Sequence, residues 1–271
     1  MPMAPADLAL DAYLLRVGLA DRPTTDLAGL RALHLAHART IPFENVDVLL
    51  GLPIRLDLAS LQEKLVGRRR GGYCFEHNTL LQAMLEGLGF EVTACEARVR
   101  LGVTGILPRT HMLLLVQVEG APWLCDVGFG LEGLLHPVPL DGEAHAQFQN
   151  SYRVVPEAGL KVLQSFHQGA WEDLYAFSPE ARLPIDFEVG NYFTSTHPDS
   201  RFRKNLIAQQ PGPEVRRLLR NQAYAELRGE EVAGREVAPE EVATLLREEF
   251  GLDVPAEPLL AWLLQSKSSL P

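Results

Sequence analysis

Hydrophobic positions recur at helical spacing through the first ninety residues and then change period. Leu8, Ala12, Leu15 and Leu19 fall on one face of an amphipathic helix. Thr25 or Asp26 can cap a second helix, with Leu27, Leu30, Leu33 and His37 or Ala38 as its stripe and Pro42 preventing its continuation. A third is expected from near Asp57, with Leu58, Leu61 and Leu65 inward, to near Gly67. A fourth follows the turn Arg69-Arg70-Gly71-Gly72-Tyr73, carries Cys74, turns Leu80, Leu81, Met84, Leu85 and Leu88 inward, and ends at Gly87 or Gly89.

From Phe90 the period falls to 2, the mark of a sheet. Thr93, Cys95, Ala97 and Val99 share one face while Glu96, Arg98 and Arg100 share the other, which makes Cys95 a core residue. Gly102 to Thr110 reads as a loop, and His111–Val118 and Pro122–Val127 as apolar strands. Glu119-Gly120 between them suits a two-residue type I′ turn. Val118 then faces Ala121, Asp126 faces Leu113, and His111 is the diagonal neighbour of Asp126 on the same face. Such diagonals are about 7–8 Å apart, within reach of a long side chain, so an Asp–His hydrogen bond follows from the register.

Weaker strand patterns occupy Tyr152–Val155, Leu160–Ser165 and Asp173–Phe177. Pro184 suits the first helical position and leads into Asp186–Phe193. Phe202–Gln209 and Val215–Leu227 favour strands, and Pro239–Phe250 and Pro255–Leu264 favour helices. With no repeat or low-complexity linker, the parts are expected to pack closely.

Composition narrows the function. The 271 residues are 46% hydrophobic and 22% charged, with a formal net charge of −10, which argues against nucleic-acid or anionic-membrane surfaces. Met1 to Leu19 is rich in Ala and Leu, but Asp7 and Asp11 interrupt it and no cationic run precedes it, so a secretory signal is not expected. No run is long enough to span a bilayer. The three cysteines, Cys74, Cys95 and Cys125, form neither a disulfide framework nor a zinc spacing. A metal-free chain in a reducing cytoplasm is the expectation.

Cys74 stands where a helix begins, among N–H groups without intrahelical acceptors, with arginines close before it; both favour a thiolate. Taken alone, it is also readily a small buried hydrophobe. Asp126 is more telling, because a carboxylate between Cys125 and Val127 in an apolar strand is costly to bury unless paired, and His111 is the partner on offer. Cys74, His111 and Asp126 thus supply nucleophile, base and orienting group. The order alone does not separate transfer to an amine from transfer to water, as in a papain- or transglutaminase-like hydrolase or an amide synthase; against a noncatalytic protein that retains the fold stand the intact Cys74, His111 and Asp126.

The segment Arg70-Gly71-Gly72-Tyr73-Cys74-Phe75-Glu76 resembles the signature of the arylamine N-acetyltransferases, prokaryotic type. Ile41-Pro42-Phe43-Glu44-Asn45-Val46, Thr110-His111-Met112-Leu113, Asp126-Val127-Gly128-Phe129-Gly130 and Asn191–Pro198 resemble further segments of that family, in order. The resemblance implies an α+β fold of three parts: a helical bundle at 1–89 carrying the nucleophile, a β-barrel at 90–195 carrying His111 and Asp126, and an α/β lid at 196–271. It implies ping-pong transfer from acetyl-CoA to an arylamine, arylhydroxylamine or hydrazine through an acetyl-cysteine. It also implies that Phe43, Phe129 and Phe202 line the substrate pocket and that the N–H groups of Cys74 and Thr110 hold the oxyanion. Glu44 and Arg70 are expected to brace the cysteine turn, His77 to do no chemistry and to hydrogen-bond locally, and Cys125 to face away from the site. Arg109, Arg201, Arg203 and Lys204 are candidates for CoA's phosphates.

Overall fold

The computed structural model describes residues 8–167 and 169–267; the leading stretch that includes Asp7 lies outside the described residues. Helix α1 (Leu10–Val17) buries Leu10, Tyr13, Leu14, Arg16 and Val17. Of the expected stripe, Leu8 and Leu19 pack against the core, but Leu15 is 80% exposed and Ala12 is exposed too, so within the helix the inward face is one position out of phase. Two side chains that an aliphatic pattern overlooks set the true face. The Tyr13 hydroxyl meets His37 Nδ1 at 2.9 Å, and Arg16 turns inward to donate to the Leu65 carbonyl at 3.0 Å.

Helix α2 (Leu27–Thr40) starts at Asp26, whose carboxylate accepts from the Gly29 N–H at 2.8 Å. The chain then forms a two-residue strand β1 (Phe43–Glu44) and a short helix α3 (Val46–Leu49). Asp57 caps α4 (Leu58–Leu61) through the Ser60 N–H at 2.9 Å, and the helix continues as a π-helical turn over Gln62–Gly67. Helix α5 (Cys74–Gly87) follows.

An eight-stranded antiparallel sheet comes next: β2 (Glu91–Val99), β3 (His111–Val118), β4 (Ala121–Cys125), β5 (Val138–Pro139), β6 (His145–Gln147), β7 (Asn150–Glu157), β8 (Leu160–His167) and β9 (Ala170–Phe177). Their spatial order is β5-β4-β3-β2-β9-β8-β7-β6. The sheet curls into a nearly closed barrel. At the seam, the Gln147 amide of β6 accepts from the N–H groups of Leu135 (3.0 Å) and His136 (2.9 Å) just ahead of β5, and donates to the His136 carbonyl at 2.7 Å.

The β3–β4 hairpin has the expected register. Val118 pairs with Ala121, and Leu114 with Cys125. Glu119 (φ 54°) and Gly120 (φ 80°) supply the two left-handed residues of a type I′ turn. Strand β3 is apolar from Met112 to Val116 because both its faces are covered there. Met112, Leu114 and Val116 pack into the core shared with the helices, and Leu113 and Leu115 into the barrel core.

Helix α6 (Pro184–Thr196) begins at Pro184 as expected. The next stretch departs from the sequence expectation. Phe202 lies in a short helix, α7 (Arg201–Lys204), not a strand, because the Ser200 hydroxyl caps it by accepting from the Phe202 N–H at 3.3 Å. Strand β10 starts only at Ile207 (Ile207–Gln210). The run 215–227 is a hairpin rather than one strand: β11 (Arg216–Arg220) and β12 (Ala223–Arg228) are separated at Asn221, φ 55°. Strand β13 (Glu231–Glu236), exposed along its length, offers no alternation to read. Helices α8 (Val242–Phe250) and α9 (Ala256–Lys267) complete the described chain.

These late strands form a second sheet, β1-β10-β11-β12-β13. Its first member comes from the N-terminal third, with Phe43 opposite Gln209 and Glu44 opposite Ala208. Asn45 secures the joint. Its amide donates to the carbonyls of Phe202 and Asn205, both at 2.7 Å, and accepts from the Ile207 N–H at 2.7 Å.

Candidate active site

Cys74 is the first residue of α5 and is almost fully buried. Two glycines let its surroundings close in. A Cβ at Gly71 would lie 2.1 Å from the Pro42 carbonyl oxygen, and one at Gly128 would lie 2.6 Å from Cys74 Cα. Beneath the turn sits a buried ion network. Arg70 bonds Glu44 at 2.6 Å and Asp47 at 3.0 Å, and Lys64 bonds Asp47 and Glu76, each at 2.7 Å. Glu76 in turn accepts from the Tyr73 N–H at 3.1 Å, fixing the first turn of the helix. The expected Glu44–Arg70 pair is therefore half of a larger brace, and sequence reading missed Asp47 and Lys64. Burial raises the Glu76 carboxyl while Lys64 opposes the rise. Burial would lower the Lys64 ammonium, but Glu76, Glu44 and Asp47 raise it above its ordinary value.

His111 stands at the start of β3 and Asp126 directly after β4, and they meet as the register requires, with Nε2 2.6 Å from Oδ2. That bond leaves Nδ1 for the Cys74 thiol, whose interaction with the ring adds to the stabilisation of the imidazolium. Burial alone would lower the His111 pKa, but the charge and hydrogen bond of Asp126, together with Cys74, lift it to about 10. Burial likewise works to raise the Asp126 carboxyl, yet His111, Asn78 and the Gly128 N–H hold it below its ordinary value. The Sγ atom lies 3.6 Å from the Thr110 carbonyl oxygen, so the contact that Thr110 makes with sulfur is through its carbonyl.

Sequence reading missed several residues that hold this geometry. Asn78 lies four residues, one helical turn, after Cys74. It donates to Asp126 Oδ1 (2.9 Å) and the Met112 carbonyl (2.7 Å), and accepts from the Val127 N–H (3.2 Å), clamping α5 to both strands. Its i,i+4 spacing from the thiol was the available signal. His34 Nε2 accepts from the Asp126 N–H at 3.1 Å. Tyr175 and Phe129 pack against the His111 ring, with centroids 4.8 and 5.1 Å away, and against each other at 5.1 Å. Nothing in the alternation of β9 marks Tyr175 out.

His77 is no local contact either. It joins His37 Nε2 through Nδ1 at 3.0 Å and contacts the Pro42 carbonyl at 3.2 Å. Burial drives its pKa down to about 4. Cys125 is fully buried in the core shared with the helices.

The thiol opens into a cavity of about 320 Å³ whose lining includes Phe43, Phe129, Phe202, Thr110 and His111, all of them residues singled out in the sequence. Phe202 meets Phe43 at 5.8 Å and Tyr73 edge-on at 6.0 Å. Aromatic walls with a few polar groups suit a flat, apolar ligand. Of the proposed phosphate-binding cations, Arg109 lies 3.4 Å from Glu96 and Lys204 lies 3.0 Å from Asp199.

The N-acetyltransferase family profile matches residues 26–259. An arylamine N-acetyltransferase of Mycolicibacterium smegmatis is 43% identical over 80% of this chain and 81% of its own length. The chain belongs to the arylamine N-acetyltransferase family. Another member, the arylamine N-acetyltransferase / N-hydroxyarylamine O-acetyltransferase of Salmonella typhimurium, is 38% identical over 90% of this chain and 89% of its own. The solved arylamine N-acetyltransferase of Mycobacterium marinum in complex with CoA superposes with a TM-score of 0.90 at 32% identity, covering 95% of this chain and 99% of the other. In this arylamine N-acetyltransferase fold the helices bring the thiol, the barrel brings His111 and Asp126, the second sheet brings Phe43 on β1, and the short helix α7 ahead of β10 brings Phe202.

Proposed function

We propose that this chain moves an acetyl group from acetyl-CoA to the nitrogen of an arylamine, arylhydroxylamine or hydrazine, with Cys74 as nucleophile, His111 as base and Asp126 as the group that orients it. The observation that carries the reading is the buried 2.6 Å His111–Asp126 bond, set beside a thiol that opens into an aromatic cavity. His111 takes the Sγ proton, sulfur attacks the thioester carbonyl, and the oxyanion is held by the Cys74 N–H, whereas Thr110, expected to donate its N–H, faces the sulfur with its carbonyl. CoA leaves as its thiol, taking the proton from His111. The amine then attacks the acetyl-cysteine carbonyl, the C–S bond breaks, and the amine proton passes through His111 to the departing sulfur. Asp126 keeps Nδ1 aimed at sulfur throughout. Phe43, Phe129 and Phe202 form the walls that receive the acetyl group and the ring. All three cysteines are free and no helix among the described residues is long and apolar enough to cross a membrane; we assign the chain to the cytoplasm.

The test is CoA release from acetyl-CoA, with and without aniline. Amine-dependent release that disappears in Cys74→Ala, together with an acetyl group found on Cys74 when amine is withheld, is the expected result. Release without amine would identify a hydrolase, and an unmodified Cys74 would overturn the mechanism.

A further inference from the structure

The strand that delivers the Asp126 carboxylate leaves the sheet just before it does so. The β3–β4 ladder ends at Leu114–Cys125, so the N–H groups of Asp126, Val127 and Gly128 lie beyond it. All three residues are buried, and their donors need other acceptors. Side chains supply them. Gly128 donates to Asp126 Oδ1 at 2.9 Å, Val127 to Asn78 Oδ1 at 3.2 Å, and Asp126 to His34 Nε2 at 3.1 Å. The first acceptor is the carboxylate itself and the second stands on the helix of Cys74. The third reaches in from α2, 92 residues earlier in the chain.

That bond fixes the form His34 must take. A backbone N–H only donates, so Nε2 keeps its lone pair and the neutral ring carries its proton on Nδ1. The side chain is 1% exposed, and Nδ1 is buried and completes no hydrogen bond. A buried donor left in that state is costly. A leucine would avoid the cost, but a leucine cannot accept from Asp126. Burial lowers the ring's pKa to about 4. The Leu135 carbonyl and the Asp126 carboxylate work against that shift and His136 adds to it, while on its own helix the ring faces His37.

We propose that His34 is a positioning residue for the catalytic pair: as the neutral Nδ1–H tautomer it holds the Asp126 main chain and so keeps Oδ2 aimed at His111. Asn78 and the Gly128 N–H hold Oδ1, His34 holds the peptide, and Oδ2 is left one direction, toward His111 Nε2 at 2.6 Å. With the peptide released, the carboxylate is free to swing. The charge-assisted bond to His111 then weakens, the imidazolium loses stabilisation, and Cys74 yields its proton less readily. No proton passes through His34 itself.

This inference rests on the reading of Cys74 and His111 as nucleophile and base, and the experiment separates the two. Alkylation of Cys74 by iodoacetamide, located by mass spectrometry, is followed against pH beside CoA release from acetyl-CoA with aniline. His34→Leu removes the acceptor, and His34→Gln places an amide oxygen where Nε2 stood. In the folded His34→Leu variant the acid limb of both profiles should move up by about one pH unit, and kcat should fall about tenfold with KM for acetyl-CoA little changed. In His34→Gln most of both should return. A role in packing alone would lower stability and leave the profiles in place. Profiles unmoved by His34→Leu, or His34→Gln no better than His34→Leu, would overturn the inference. The imidazole nitrogen-15 shifts of the wild-type chain near pH 7 decide independently of how either variant folds. A proton on Nδ1 and none on Nε2 is expected, and the opposite tautomer or a doubly protonated ring would overturn the inference. A wild-type Cys74 alkylated only above about pH 8, as an ordinary thiol is, would overturn the catalytic pair and this inference with it.

Discussion

At the scale of single residues, Asp126 shows how much a buried charge can disclose. An acidic residue inside an apolar strand demands a partner, and the turn chemistry of Glu119-Gly120 names it. Asp126→Asn keeps the shape but removes the charge that lifts His111 to about 10. We expect kcat/KM to drop by about 10³-fold or more, as when a triad loses the group that fixes its base, and the thermal midpoint to fall as well, because the buried pair also stabilises the fold; retention of most activity in the folded variant would contradict the assigned role. Asn78, His34 and Tyr175 escaped the sequence reading for one shared reason. Each acts through a partner distant in the chain, and the pattern around each is that of ordinary core. Of Arg201, Arg203 and Lys204, Arg201 is the one that lines the cavity, and a run of basic residues in sequence carries no information about which member that is.

At the scale of elements, most helices and hairpins were legible because caps, turn residues and hydrophobic period agreed. The exceptions have identifiable causes. In α1 a tyrosine and an arginine with buried partners rotated the inward face by one position. Leu14→Ala should therefore cost about 2–4 kcal/mol in chemical denaturation, whereas Leu15→Ala should be nearly neutral; equal effects would restore the aliphatic stripe. In α7 a serine cap overrode local strand preference. In β1, β5 and β6 the strands are too short for any period to emerge. The β3–β4 turn carries one suboptimal residue: Glu119 holds φ 54° where Asn is more at ease. Glu119→Asn should raise stability by about 0.5 kcal/mol, measured as a shift in denaturation midpoint at constant m.

At the scale of the whole molecule, buried histidines set the response to pH. Burial pushes His34 and His77 to about 4 and His37 well below 6.5. In the unfolded chain they take up protons near 6.5, so their contribution is intact above that pH and is lost as pH falls from 6.5 toward 4, by roughly 1 kcal/mol per pH unit for each. His111 has the opposite sign: its contribution is full below 6.5 and fades as pH rises through about 10. Urea unfolding followed from pH 8 to 4 should show a steep acid loss, made shallower in His77→Gln; a flat profile would mean these histidines remain accessible to protons.

The pairing of β1 with β10 also governs the order in which the protein can come into being. Phe43 is made early, but the strand it pairs with, the Phe202 ring opposite it and the backbone groups that Asn45 grips are made more than 150 residues later. A ribosome that has finished the helices and the barrel holds a nascent chain with its thiol, imidazole and carboxylate all synthesised and one wall of the acceptor chamber missing. Acetyl-transfer competence should thus arise late and abruptly. Chains halted before residue 199 are expected to lack amine-dependent turnover, and chains released after β10 has cleared the exit tunnel to begin to acquire it.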